Sequence, residues 1–385
     1  MTTQNNKRNR GYVYAFCLYS ALMLLQTPVA NIGLIGAFGT MLLTVLCAVF
    51  GGHFEIRSFR GTKLTLLLFL FTLLFFCTSY GQGRNIGFLV KSLALQLFAI
   101  FLTGLNIDQR ESVLIRKVFQ WAVVIYAILI IRSCMNAGDA RYYHGDISLF
   151  GTSLDPNFVG IPLVAALVFF IDNFLNEKRR VFSLVSSAVI VIAIMYTGSR
   201  GNMLCMCIGC ACCLLSYLSQ KKISSYRKLA ICLMIFISIP IMLNVITKQF
   251  PDQWARMTTF GEGADNGRFT LWSDTLKVFT QSPIWGNGYR SMVWNGNHGT
   301  HNTYISILCD TGVMGILLWI MLLITLFLKA RAHSKIFGIV LATMYIQITF
   351  LDAFENRPMW TLLMWSVLLP DKQTAAGGSK HRLNS

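Results

Sequence analysis

Charge is scarce in this sequence. Of its 385 residues only 13% are Asp, Glu, Lys or Arg, whereas 55% are hydrophobic. A soluble domain of this length could not hide that much apolar surface behind its own exterior. Proline is scarce too, 8 residues against 28 phenylalanines, which removes a common interruption and suits long helices. Acidic residues number 16 against 33 basic ones, a formal charge of +17. That excess alone would suit nucleic acid as a partner, but its distribution argues otherwise: Lys and Arg fall in short clusters between apolar runs, as membrane loop charges do. A leader-cleavage pattern is also lacking. Lys7, Arg8 and Arg10 precede an apolar run ending near Thr27-Pro28 without a small-residue cleavage site, so the run reads as a retained first helix.

Long apolar runs are what the sequence has in abundance. They fall near 12–26, 31–50, 63–79, 87–105, 118–134, 157–175, 181–197, 201–219, 228–247, 301–328, 335–352 and 357–369. Most approach the ~20 residues that cross a ~30 Å hydrocarbon core as helix. The fold expected is therefore all-α, a polytopic membrane protein of about twelve transmembrane helices. A bundle of about nine helices occupies 1–247, a large extracytoplasmic loop 248–300, further membrane helices 301–369, and a cytoplasmic tail 370–385. Alternating the sides puts 22 of the 33 basic residues on the side of the N-terminus, at least three in every loop. By the excess of positive charge on cytoplasmic loops, both termini are expected in the cytoplasm of a cell whose inner membrane the chain spans.

Five of the eleven cysteines crowd one run: Cys205, Cys207, Cys210, Cys212 and Cys213. The run is apolar, with no His or carboxylate nearby, so they read as small packing residues rather than a metal site. In the large loop, Phe269, Trp272, Leu276 and Phe279 share one face of a short amphipathic helix suited to a membrane surface. The two halves show no internal repeat, which disfavours repeat-built transporters.

Basic residues are few on the outer side, and their placement is informative. Arg200 lies in the short Thr197–Gly201 connection, Arg268 opens the loop helix, and Arg290 follows Pro283-x-x-Gly286-x-Gly288. His301 and Asn302 stand where the loop re-enters the membrane, and Lys91 lies inside an apolar run below Arg84. A guanidinium is a planar fork of donors matched to phosphate oxygens. Glycine-rich turns let backbone amides approach the same anion, and an ionisable residue within a span is costly unless it has a task. Together these predict a polyanion site beside the bilayer. The competing reading, arginines snorkelling to lipid headgroups, stays open. His301 has the near-neutral pKa that proton transfer needs, though a lone His at a helix start is more often a cap or packing residue, and His298 is a rival.

The order of these pieces resembles the O-antigen ligase and polymerase family of the bacterial envelope. The pieces are Ser199-Arg200-Gly201, Gly267-Arg268 leading to Trp272, Pro283-x-x-Gly286-x-Gly288, His301-Asn302-x-Tyr304, and Gly312-x-x-Gly315, with Asp155-Pro156-Asn157 entering an earlier span. The resemblance implies an inverting, metal-independent glycosyltransferase of the lipid-phosphosugar type, without a cofactor. It would move a glycan from undecaprenyl pyrophosphate to an acceptor hydroxyl on the extracytoplasmic face. Carried over by position, Arg200 and Arg268 would grip the pyrophosphate and His301 would be the base. Arg290, Lys91, Arg84, Asn302 and Asn157 would contact pyrophosphate or glycan.

Three functions follow as competitors. The first is polymerisation of lipid-linked O-antigen, capsule or exopolysaccharide repeats, with a chain-length regulator and a flippase as companions. The second is ligation of the finished glycan to lipid A-core or protein. A polysaccharide-lipid transporter or flippase is the third, disfavoured because the polar chemistry gathers at one face rather than at mid-membrane.

Overall fold

A computed structural model of the chain describes residues 11–24, 30–54, 63–80, 86–105, 107–136, 147–149, 152–176, 180–220, 222–258, 267–294 and 299–369. Arg84, His298 and the tail 370–385 lie outside the described residues. In chain order the helices are α1 Gly11–Leu22, α2 Ala30–Phe50, α3 Lys63–Tyr80, α4 Ile86–Leu102 and α5 Gln109–Asn136. A hairpin, β1 Ile147–Leu149 and β2 Thr152–Leu154, precedes α6 Pro156–Asn176, α7 Arg180–Tyr196, α8 Arg200–Leu218, α9 Ser225–Gln249 and α10 Pro251–Thr258. Then come α11 Arg268–Phe279, α12 Ser291–Trp294, α13 Thr303–His333, α14 Lys335–Gln347 and α15 Arg357–Leu368.

Each apolar run of the sequence coincides with a helix, so the protein is helical and polytopic. Among the described residues, five helices are long and apolar enough to cross a membrane: Lys63–Tyr80, Gln109–Met135, Pro156–Asn176, Arg200–Leu218 and Thr303–His333. Their outward faces carry large apolar side chains, such as Leu66, Phe69, Leu73 and Phe76 on α3. In water such a surface would be an aggregation liability; in lipid it is the solvated face. The hairpin is a small addition to the helical array.

Two helices are buried nearly all round, Val159–Phe170 of α6 and Pro358–Leu368 of α15, the mark of a central position. Close approach to α6 depends on side-chain size: a Cβ on Gly160 would fall about 2.0 Å from the Asn202 side chain of α8. At the opposite end, Arg116 of α5 donates to the Asp172 carboxylate and to the Phe169 carbonyl, both at 2.9 Å, tying α5 to α6. Helix α5 starts well before its apolar run because Asp108 and Glu111 cap it reciprocally, the Asp108 amide on Glu111 Oε2 (2.7 Å) and the Glu111 amide on Asp108 Oδ1 (2.8 Å). Helix α14 ends sooner than its run, and 348–356 becomes a loop between α14 and α15.

The feature that shapes the site is a break in α13. Gly312 has φ 68°, ψ −170°, and the helical ladder is interrupted there. The Pro283–Gly288 turn fills the gap: the Asn287 amide donates to Cys309 O (2.9 Å), Gly288 to Asp310 O (2.9 Å) and Val313 to Pro283 O (2.9 Å). A Cβ on Gly286 would lie 2.3 Å from Asp310 O, and one on Gly312 2.2 Å from Ile284 O. Both glycines also hold positive φ. Gly286→Ala and Gly312→Ala should therefore destabilise the chain well beyond the ~1–2 kcal/mol of left-handed strain alone. Gly267→Ala, at φ 73° with nothing within 4 Å, should cost only about that strain. Thermal unfolding of the purified variants followed by size exclusion measures the contrast.

Candidate functional site

Beside this junction lies a cavity of about 390 Å³. Asp155, Arg290, His301, Asp352, Glu355 and Arg357 supply its charged and titratable lining.

Two of its three basic residues are held in unusual backbone. Among the described residues, Arg290 (φ 56°) and His301 (φ 50°) are the non-glycine residues with positive φ, and both line this cavity. Such strain persists only where surrounding contacts over-determine it, and it concentrates at functional sites. For Arg290 those contacts come from buried Asp310, whose carboxylate accepts the Arg290 amide (2.9 Å), the Ser291 amide (3.1 Å) and the Ser291 hydroxyl (2.8 Å). For His301 they come from both flanks. Thr300 Oγ1 donates to Asn302 O (2.9 Å), and the Asn302 carboxamide oxygen caps α13 by accepting the Tyr304 and Ile305 amides.

The start of α13 is also fastened to the 348–356 loop. Thr303 donates its amide to Ile348 O (3.0 Å) and its hydroxyl to Leu351 O (2.7 Å), and that hydroxyl accepts the Ala353 amide (2.8 Å). This brings Asp352 and Glu355 to the cavity. Arg290 Nε stands 3.7 Å from Glu355 Oε1, and the Tyr289 hydroxyl donates to the same oxygen. Burial pushes the Asp352 carboxyl up to about 6, with Glu355 adding to the rise and Ser306 and Arg290 opposing it. The Tyr289 phenol is driven well above its ordinary range by burial and by Glu355.

Of the residues singled out from the sequence, the cavity gathers His301 and Arg290. Arg200 and Arg268 do not line it, yet each is tethered to its edge. Ser199, capping α8 beside Arg200, donates to Asn157 Oδ1 (2.8 Å), and the Asn157 amide donates to Asp155 Oδ1 (2.8 Å). Asp155 follows directly on the hairpin, whose Ile147, Leu149 and Leu154 are buried. On the other side, Trp272, one turn after Arg268, donates its indole N–H to Thr300 O (2.9 Å), next to His301. Lys91 lines a smaller neighbouring hollow with Glu355 and Arg357. Of the apolar face expected to meet lipid, Phe269 and Leu276 of α11 are exposed, whereas Phe279 is half-buried and Trp272 is half-buried against Thr300.

One expectation needs correcting. The amides of the glycine-rich turn do not present themselves to an anion. Gly286 N–H donates to Ser282 O (2.8 Å) and Gly288 N–H to Asp310 O (2.9 Å). These glycines serve close backbone approach instead. Sequence reasoning also missed Asp352, Glu355 and Arg357, although a run of polar residues between two apolar stretches was there to be read.

With the geometry in place, the comparison with known proteins is informative. Residues 185–320 match the family model described as O-antigen ligase. The match supports an assignment to the O-antigen ligase and polymerase family, which the order of the motifs already resembles. No curated protein matches the chain. The matched stretch holds Arg200, Arg268, Arg290 and His301, and supports a membrane function in polysaccharide assembly. Lys91, Asn157 and the Asp352–Arg357 wall lie outside it.

Asp352 has a measurable signature. Unfolded, it titrates near its ordinary 3.8; folded, near 6. The folded state therefore holds a proton that the unfolded state releases, so stability falls as pH rises from about 4 through 6 and stays reduced above. Asp352→Asn should flatten that slope. Unfolding temperatures at about pH 5 and pH 7.5 should differ more in the unaltered chain than in the variant; an equal difference would place Asp352 elsewhere.

Proposed function

We propose that this chain is a membrane glycosyltransferase that moves a glycan from undecaprenyl pyrophosphate to an acceptor hydroxyl at the extracytoplasmic face of the bacterial inner membrane. The acceptor in this reading is a second lipid-linked repeat unit, so the product is polymerised O-antigen, capsule or exopolysaccharide. The observation that carries it is the cavity where His301 and Arg290, both in left-handed backbone, face Asp352, Glu355 and Arg357.

The chemistry asks little more. The acceptor oxygen attacks the anomeric carbon as the bond to pyrophosphate breaks, with inversion. His301 takes the acceptor proton, a role contributing ~10²–10⁴ in rate. The electron pair leaves with the pyrophosphate, whose growing charge the Arg200 and Arg268 guanidinium groups stabilise. Their support is positional: the tethers through Asn157–Ser199 and Trp272–Thr300 hold the origins of both side chains at the cavity's edge. Arg290 adds a third guanidinium, fixed by Asp310. In this reading the chain crosses the membrane twelve times with both termini in the cytoplasm, as the distribution of basic residues suggests, and this edge belongs to the extracytoplasmic side.

Ligation to lipid A-core or protein is the second reading, favoured by the printed description of the matching family, O-antigen ligase. Purified chain given lipid-linked repeats alone separates the two, because a ladder of longer products needs no second acceptor. Arg200→Ala, Arg268→Ala and His301→Ala should each lower product by ~10²–10³ while inserting normally. Arg268→Lys should keep part of the activity, since a point charge replaces a fork. Near-normal product from all three alanine variants would remove the assignment; lipid-linked sugar moved across vesicles at unchanged chain length would favour transport.

A further inference from the structure

Past its break, helix α13 offers lipid a continuous stripe. Val313, Leu317, Ile320, Ile324 and Leu328 are exposed at helical spacing, and the exposed Arg331 marks where the hydrocarbon ends. From Val313 to Leu328 the helix rises about 23 Å, short of the ~30 Å that a hydrocarbon core requires. The first part of α13 does not make up the difference, because none of residues 303–312 is exposed.

What stands at the head of the stripe is the Pro283–Gly288 turn. The Val313 amide donates to Pro283 O (2.9 Å) and the Met314 amide to Ile284 O (3.3 Å). The first amides of a helical segment point along its axis, away from the body of the helix. These bonds therefore set the turn beyond Val313 rather than beside it. There Pro283, Ile284 and Trp285 are all exposed, the last two at 56% and 59%. Three adjacent apolar side chains held outward on a fixed turn would be a liability in water. Against acyl chains they are solvated, and Trp favours the boundary with the headgroups.

We infer that this turn is a membrane-embedded element, with Ile284 against acyl chains and Trp285 at the headgroup boundary, completing the span that α13 leaves short. Its partner is the bilayer itself. Continuity with the stripe favours lipid over a second copy of the chain, which is the competing occupant. The segment 283–285 then lies in the membrane rather than in a loop clear of it. Arg290 fits the same level: its amide is held by Asp310, one turn before Val313 and ~5 Å farther along the axis. The cavity wall that Arg290 forms thus meets the headgroup boundary, where a lipid-borne phosphate arrives by lateral diffusion. The inference goes beyond the glycan-transfer reading and rests only on the chain being a membrane protein.

The test uses the purified full-length chain in nanodiscs of dioleoylphosphatidylcholine, part of it replaced by lipid brominated near the headgroup or near the chain ends. Bromine quenches tryptophan on contact, and aqueous iodide reports exposure to water. The emission that disappears in Trp285→Phe is that of Trp285. It should be lost with shallow bromine, less so with deep bromine, and hardly at all with iodide. Quenching by iodide and by neither lipid puts the turn in water and overturns the inference. Protection from all three puts protein over the turn and does the same. Stronger quenching by deep than by shallow bromine overturns the boundary placement. Independently, p-benzoylphenylalanine in place of Ile284 should photocrosslink to lipid, whereas a crosslinked pair of chains would make this face a contact between copies. A chain that transfers no glycan would leave these outcomes unchanged, so the two readings fail separately.

Discussion

The site depends on a contact between two backbones. Where α13 breaks at Gly312, the Pro283–Gly288 turn inserts, and main-chain hydrogen bonds replace those the helix gives up. A broken helix leaves polar backbone groups that cannot stay unmatched in an apolar interior. Here the loop supplies the missing partners, which fixes its own position at the same stroke. Because Gly286 and Gly312 approach the opposing backbone within the space of a methyl group, the docking has little freedom to slide. Tyr289, Arg290 and Ser291 follow the turn directly and inherit that rigidity.

Strain is the second consequence. A left-handed residue with a side chain costs roughly 1–2 kcal/mol, and the cavity contains two. At Arg290 the Asp310 carboxylate accepts three hydrogen bonds from the strained segment, enough to offset that cost. At His301 the offset comes from the Asn302 cap and from Thr303 fastened to the 348–356 loop. Both devices fix the backbone of Arg290 and His301 without using their side chains, which line the cavity. This is preorganisation of the kind that charge stabilisation in a transition state requires.

The membrane architecture was legible because bilayer thickness imposes a length on every apolar run, and that signal is local in sequence. Arg290 and His301 were legible for a related reason: charge is scarce in this sequence, and a cation beside an apolar run needs a reason to be there. Other features were hidden by long-range pairing. Asp352 falls inside an apolar run when hydropathy alone is read, and only the Thr303 bonds to Leu351 and Ala353 bring it beside His301. The turn glycines carried a real signal that was assigned the wrong partner. Their pattern means close approach, and whether an anion or another strand of backbone approaches is settled by residues some twenty positions away. Asn302 shows the same limit. Its amide lies beside the proposed base, yet its oxygen is committed to the cap.

The lining of the cavity divides into two sources, and the division bears on how such a site varies. Arg290 and His301 come from the stretch that matches the family model; Arg290 is held by Asp310 within it, and His301 by the Asn302 cap together with Thr303 bonds to the 348–356 loop. Asp155, Asp352, Glu355 and Arg357 come from outside it and reach the cavity through the hairpin and the 348–356 loop. A reaction that only stabilises a leaving pyrophosphate and accepts one proton places its demands on the first group. The second group faces whatever part of the glycan extends beyond the reacting carbon. Substitutions there alter charge and shape without disturbing the docked turn or the cap of α13, because none of those bonds passes through their side chains. Under the proposed transfer reaction, this arrangement separates the residues assigned to the chemistry from those left to meet the rest of the glycan.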